Sequence, residues 1–196
     1  MRRRSRGFSL IEVLVVVAIL AALAGMAVTL TEPSPSARLQ MTADMLAADL
    51  ERAQELALSR GSTHRVTFEG AENRFVLKHV GTNSAFHNLP KYVQTRQAEA
   101  RTQATYALSE RSGYGKYVSI AAFEPAALYL QDKFPVQFAA DGSLTDERTA
   151  TIWLASFDDG RTSYLPVRIY AVTGVVSIGA TTDTLPPAAA VVQDED

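Results

Sequence analysis

The chain contains no cysteine, one tryptophan and three histidines among its 196 residues. Without cysteine there is neither a disulfide nor a thiolate metal site, so whatever folds here is held by packing alone. His64, His79 and His87 form no i,i+4 pair and match no zinc-binding spacing. They are read as strand and loop residues facing solvent, and no metal is expected. Serines are plentiful, yet there is no Gly-x-Ser-x-Gly elbow and no glycine-rich phosphate loop, so neither an enzyme nor a cofactor is expected. The acidic residues Asp141, Asp146, Glu147, Asp158 and Asp159 do not have the spacing of a twelve-residue calcium loop, and Asp-Gly pairs read as plain turns.

Charge is missing from one long stretch. Val13 to Thr31 carries 19 residues without an ionisable group, long enough with Phe8 to Ile11 to cross a hydrocarbon core of roughly 30 Å as a helix. Arg2, Arg3, Arg4 and Arg6 precede it and no base follows until Arg38. That asymmetry places the N-terminus in the cytoplasm and the rest of the chain across the membrane. One acid, Glu12, sits at the head of the apolar run. A carboxylate in a bilayer costs up to about 3 kcal/mol at mid-depth, less near the interface, so it calls for a partner or for snorkelling to the surface. A cleavable signal peptide competes with this reading, with Ala22-Leu23-Ala24 as its small-x-small site. Its apolar region would be shorter, without an acid at the start.

The segment Gly7-Phe8-Ser9-Leu10-Ile11-Glu12-Val13-Leu14 resembles the class III signal of type IV pilins and type II secretion pseudopilins. The resemblance implies that prepilin peptidase cuts between Gly7 and Phe8 and methylates the Phe8 amine. It also implies that Glu12 pairs with the Phe8 ammonium of a neighbouring subunit in the filament. Physically, a glycine before the scissile bond offers no side chain to obstruct a protease. The two opposite charges would compensate each other in a dry helical core.

After the apolar run, Pro33-Ser34-Pro35-Ser36 breaks the helix. From Ser36 or Ala37 to Arg60, the positions Leu39, Ala43, Leu46, Leu50, Ala53 and Ala57 recur at three- and four-residue steps, predicting an amphipathic helix laid on a sheet and stopped by Gly61. Arg65 to Phe68 and Arg74 to Leu77 read as a hairpin. Further strands are expected at Tyr117 to Ala121, Pro135 to Phe138, Thr149 to Ala155, Tyr164 to Ala171 and Val175 to Ile178. The last four, punctuated by Asp141-Gly142, Asp158-Asp159-Gly160 and Thr173-Gly174, are read as an antiparallel meander. Residues 91–111 read as a helix or a long loop within a family-variable insertion.

The segments Val136 to Thr145, Ile152 to Leu154 and Ile169 to Ile178 are similar to the C-terminal pattern of the GspH/FimT group of minor pilins. The resemblance implies an α+β fold with a long N-terminal transmembrane helix spine, then an amphipathic helix packed on antiparallel β-sheet. The expected organisation is a leader at 1–7, a membrane and assembly helix at 8–31, a periplasmic domain at 32–180 and a disordered acidic tail at 181–196. The expected partners are prepilin peptidase, other pilin or pseudopilin subunits and the bacterial inner membrane. Beyond Thr31 there are 15 Lys+Arg against 20 Asp+Glu, a balance that argues against DNA as a partner. The preferred role is a minor pseudopilin of a type II secretion pseudopilus. The alternatives are a type IV pilus minor pilin for DNA uptake or adhesion, and a signal-anchored periplasmic protein that never assembles.

Overall fold

The computed structural model describes residues 9–29, 34–90, 101–111, 117–158, 160–187 and 189–192. The chain divides into two compact units, Met1–Ser34 and Pro35–Asp196. In the first, a single helix α1 runs over Leu10–Thr29. In the second, α2 (Pro35–Arg60) leads into β1 (His64–Glu69) and β2 (Arg74–His79). There follow β3 (Gln103–Ala107), the short α3 (Leu108–Arg111), β4 (Val118–Glu124) and β5 (Lys133–Phe138). The chain closes with β6 (Ala150–Asp158), β7 (Arg161–Ile169), β8 (Val176–Ile178) and β9 (Ala190–Val191). The architecture is α+β, with α2 packed against two antiparallel sheets of order β3-β2-β1-β5 and β8-β7-β6-β4-β9.

Helix α2 forms because its apolar residues fall on one stripe, and that stripe is the core. Leu39, Ala43, Leu46, Leu50, Ala53 and Ala57 are all buried, and proline at the start costs nothing because the first helical N–H groups have no intrahelical acceptor. Strands β1 and β2 alternate strictly, with Val66 and Phe68, then Phe75 and Leu77, facing inward. An aromatic chain joins the two sheets. Phe75 stacks on Tyr106 and touches Phe68, Phe68 lies 6.0 Å from Phe123 of β4, and Phe123 stacks on Phe134 at 4.7 Å. Asn73, in the left-handed region at φ 48° where asparagine is tolerated, fastens the β1–β2 turn to β4. Its amide donates to the Val118 carbonyl at 2.8 Å, and its side-chain oxygen accepts from the Ile120 N–H at 3.0 Å.

Gln54 makes a second tie, between α2 and two turns. Its Nε2 donates to the carbonyls of Gly142 and Thr173 at 3.0 and 2.7 Å. The next residue, Gly174, has φ +64° and no room for a side chain, since a Cβ would lie 2.0 Å from the Gly142 oxygen.

Three sequence expectations change. Strand β5 does not enter the meander but crosses to pair with β1, from Glu69 opposite Lys133 to His64 opposite Phe138; only β6, β7 and β8 form the meander. Within the run read as helix or loop, residues 103–107 are a strand, whose Ala104 and Tyr106 are buried against β2. Residues 91–100 and 112–116 lie outside the described residues. The tail expected to be disordered contributes β9, which pairs with β4, and a bridge from Thr182 to Tyr164. A bulge in β4 at Ala121 explains the docking: its carbonyl, displaced from the β6 ladder, accepts the Val192 N–H at 2.9 Å. Val192 then fills the space over Gly70, where a Cβ would meet it at 2.5 Å. The acidic Asp194 to Asp196 lies outside the described residues.

Candidate assembly site

Gly7 and Phe8, the residues of the expected cut, also lie outside the described residues. Glu12 is in the first turn of α1, where Ser9 accepts from the N–H groups of Glu12 and Val13 at 3.0 and 3.2 Å. The Glu12 side chain is exposed, and an acid suits this end of a helix because the first-turn N–H groups carry partial positive charge. Every described side chain of α1 is exposed as well, from Leu10 at 82 % and Ile11 at 73 % to Leu23 at 58 %. A helix apolar on all sides has no face suited to water, so it is stable only among lipid tails or other helices. Among the described residues no helix is long and apolar enough to cross a membrane; the described side chains of α1 end at Leu23 while its backbone runs on to Thr29.

The second unit brings together a group that sequence reasoning had dispersed. His64 and His79 are buried rather than solvent-facing, and all three histidines converge where α2 ends. The ring centroids of His64 and His79 are 5.1 Å apart, and those of His79 and His87 are 5.2 Å apart. Ser62 Oγ lies 2.7 Å from His79 Nε2, and His64 Nδ1 lies 3.0 Å from the Ser62 carbonyl, an acceptor that assigns the proton of His64 to Nδ1. His64 Nε2 and His79 Nδ1 are buried without hydrogen-bond partners. Gly81 gives the cluster its space, since a Cβ there would sit 2.2 Å from Ser62 Oγ. Arg60 closes the edge by donating to the carbonyls of Phe86 and Asn88 at 3.0 and 3.3 Å.

Burial pushes the His64 pKa down to about 4 despite the Ser62 hydrogen bond, and nearby His79 and Arg60 lower it further. His79 is lowered too, by burial first and then by His87 and Arg60. Ser62 and His79 have the spacing of a nucleophile and its base. His79 Nδ1 has no hydrogen-bond partner, and Ser62 is itself buried. Among the described residues no group of three His, Cys, Asp or Glu is placed to hold a metal ion. The signal for these buried histidines was in the alternation, because His64 shares a strand face with Val66 and Phe68, and His79 with Phe75 and Leu77.

Residues 2–28 match the prokaryotic N-terminal methylation motif. That match spans the basic leader, the Gly7-Phe8 junction, Glu12 and most of α1. No curated protein matches the chain. Two crystal forms of the type IV minor pilin FimU of Pseudomonas aeruginosa PAO1 are similar to it, each at 15 % identity and a TM-score of 0.44. They cover 80 % of this chain and 93 % and 98 % of their own.

Proposed function

We propose that this chain is a structural subunit of a type IV pilin-like filament, processed at its N-terminus by prepilin peptidase. The observation that carries the reading is the methylation motif over residues 2–28, joined to a helix exposed on every described face. The peptidase cuts between Gly7 and Phe8, removes four arginines and methylates the new amine. Before assembly, the uncharged segment from Val13 to Thr31 anchors the chain in the inner membrane in a single pass, with the arginine-rich N-terminus in the cytoplasm. In the filament, the helices of neighbouring subunits pack around one another, and Glu12 meets the Phe8 ammonium of the adjoining chain. The role is structural, without catalysis.

Within that class the chain is assigned to the minor pseudopilins of type II secretion rather than to DNA-binding pilus tips. Beyond Thr31 its balance is 15 − 20 = −5. On the outward side of the β1–β2 sheet, Arg74 pairs with Glu69 and Glu72, and Lys133 with Glu69. Burial alone would raise the Glu69 pKa, but hydrogen bonds and charge from Arg74 and Lys133 outweigh it and hold the carboxyl below its usual value. Cations already engaged this way are poor contacts for a phosphate backbone, which needs several unneutralised bases in a row. Salt-sensitive micromolar binding of duplex DNA by the purified chain would reverse this assignment.

The test of the class is Glu12→Ala. The variant is expected to insert and to be cleaved as usual, while disappearing from sheared filament fractions. Normal incorporation would show that the charge pair is dispensable and that assembly rests elsewhere.

A further inference from the structure

The outward face of the β3-β2-β1-β5 sheet carries two rungs of opposite character. On one, Lys133, Glu69 and Arg74 stand side by side across β5, β1 and β2, with each cation beside an acid. On the other, Gln137, Arg65, Lys78 and Gln103 follow one another across four strands, with no acid among them. Arg65 and Lys78 are directly opposed like charges, an arrangement that destabilises an isolated sheet. Neither has an ion-pair partner among the described residues, and Arg65 Nε is buried without a hydrogen bond.

The solvent face of α2 shows the complementary defect. Asp44, Ala48, Glu51 and Glu55 lie on one exposed stripe. Glu51 and Glu55 are an i,i+4 pair of like charge, which weakens an isolated helix. The helix's own bases are engaged elsewhere: Arg38 over the Tyr117 ring, Arg52 with Asp49, and Arg60 with the Phe86 and Asn88 carbonyls. The Cβ atoms of residues one helical turn apart are about 6 Å apart, and those of two directly opposed strand residues about 5 Å apart. Two acids on one turn therefore match two bases on one rung.

We propose that the Arg65–Lys78 rung receives the Glu51–Glu55 turn of α2 from a second copy of this chain. The two patches lie on different faces of the same domain, since α2 buries its opposite stripe in the core and β1 turns Val66 and Phe68 inward. The contact is therefore heterologous, and repeated without ring closure it is the geometry of a growing filament. Each like-charge defect is relieved by the other. This contact rests on the reading of the chain as an assembling subunit, and it adds to α1 a second point of register between globular domains.

The absence of native cysteine makes the test direct. Full-length Lys78→Cys and Glu51→Cys chains, differently tagged, are co-expressed in the host cell and oxidised. Mixed disulfide dimers are expected, with few dimers from either variant alone. Adding Arg65→Glu to the first chain should cut the mixed yield on the order of tenfold, and Glu55→Arg in the second should restore it. Equal yields in like-with-like pairs, or disulfides formed only with other proteins, would overturn the contact. So would insensitivity to the reversals. Mass spectrometry of the same sample separates this proposal from the one beneath it. A mature Phe8 terminus without mixed dimers removes the docking contact alone; mixed dimers on an uncut chain remove the pilin-like reading alone.

Discussion

The two units solve the problem of apolar surface in opposite ways. The Pro35–Asp196 unit buries Leu39, Leu50, Phe68, Phe123, Phe134 and Ile152 completely within its own fold. The Met1–Ser34 unit buries none of its described side chains, and Leu10, Ile11 and Leu14 are more than half exposed. A core satisfied within the chain is a device of stability. An apolar helix left uncovered is a device of association, because about 25 cal/mol per Å² is recovered only when another surface covers it. The same contrast applies to charge. Asp49 in the domain is paired with Arg52 in the same helix, while the partner expected for Glu12 belongs to another molecule.

The largest expected effect breaks the first unit alone. Gly7→Val should block leader removal, leaving uncut chain in the membrane fraction on an immunoblot with the domain still folded by circular dichroism. Efficient cleavage of that variant would remove the steric account of the junction. Gly174→Ala should act only on the second unit. Its Cβ would stand 2.0 Å from the Gly142 oxygen at positive φ, and a loss of about 3 kcal/mol is expected in urea unfolding. Leader processing should be unaffected, and an unchanged unfolding midpoint would contradict the placement of the two turns.

The smallest effect near neutral pH is the histidine cluster's, which shows itself in acid. His64 is held neutral in the folded state, at about 4 against an ordinary value of 6.5. A depressed pKa supplies stability in full above the unfolded value and loses it as pH falls through the folded one. Unfolding free energy should therefore drop between about pH 6.5 and 4, by about 3 kcal/mol from this residue. His64→Asn should flatten that part of the profile relative to the parent while changing little of the rest. Parallel profiles for the two would place the acid sensitivity in the carboxylates instead.

The sequence foretold some elements because local pattern and tertiary role coincided. All six stripe positions of α2, from Leu39 to Ala57, are buried, since a 3.6-residue period has only one way to meet a core. The β1–β2 hairpin was legible for the same reason in period two. Strand β3 was not: Gln103 to Ala107 holds a single aromatic and no apolar β-branched residue, and its pairing is imposed by the neighbouring edge of β2. Strand β9 depends on the bulge at Ala121, a feature with no local signature. His64 and His79 are buried against expectation because a polar residue type outweighed its position in an alternating strand, whereas His87 is exposed in a loop as expected. For the proposed assembly site the reverse holds: Gly7, Phe8 and Glu12 stand out by residue type and spacing within the segment 2–28 that matches the methylation motif, and the contacts proposed for them are with other chains, so no fold of one chain displays them.

If the N-terminal unit is cut and then packed against its neighbours, mass spectrometry of the chain recovered from host-cell membranes should find a mature terminus at Phe8 carrying a methyl group on its amine. A chain still beginning at Met1, or one cut near Ala24, would contradict it.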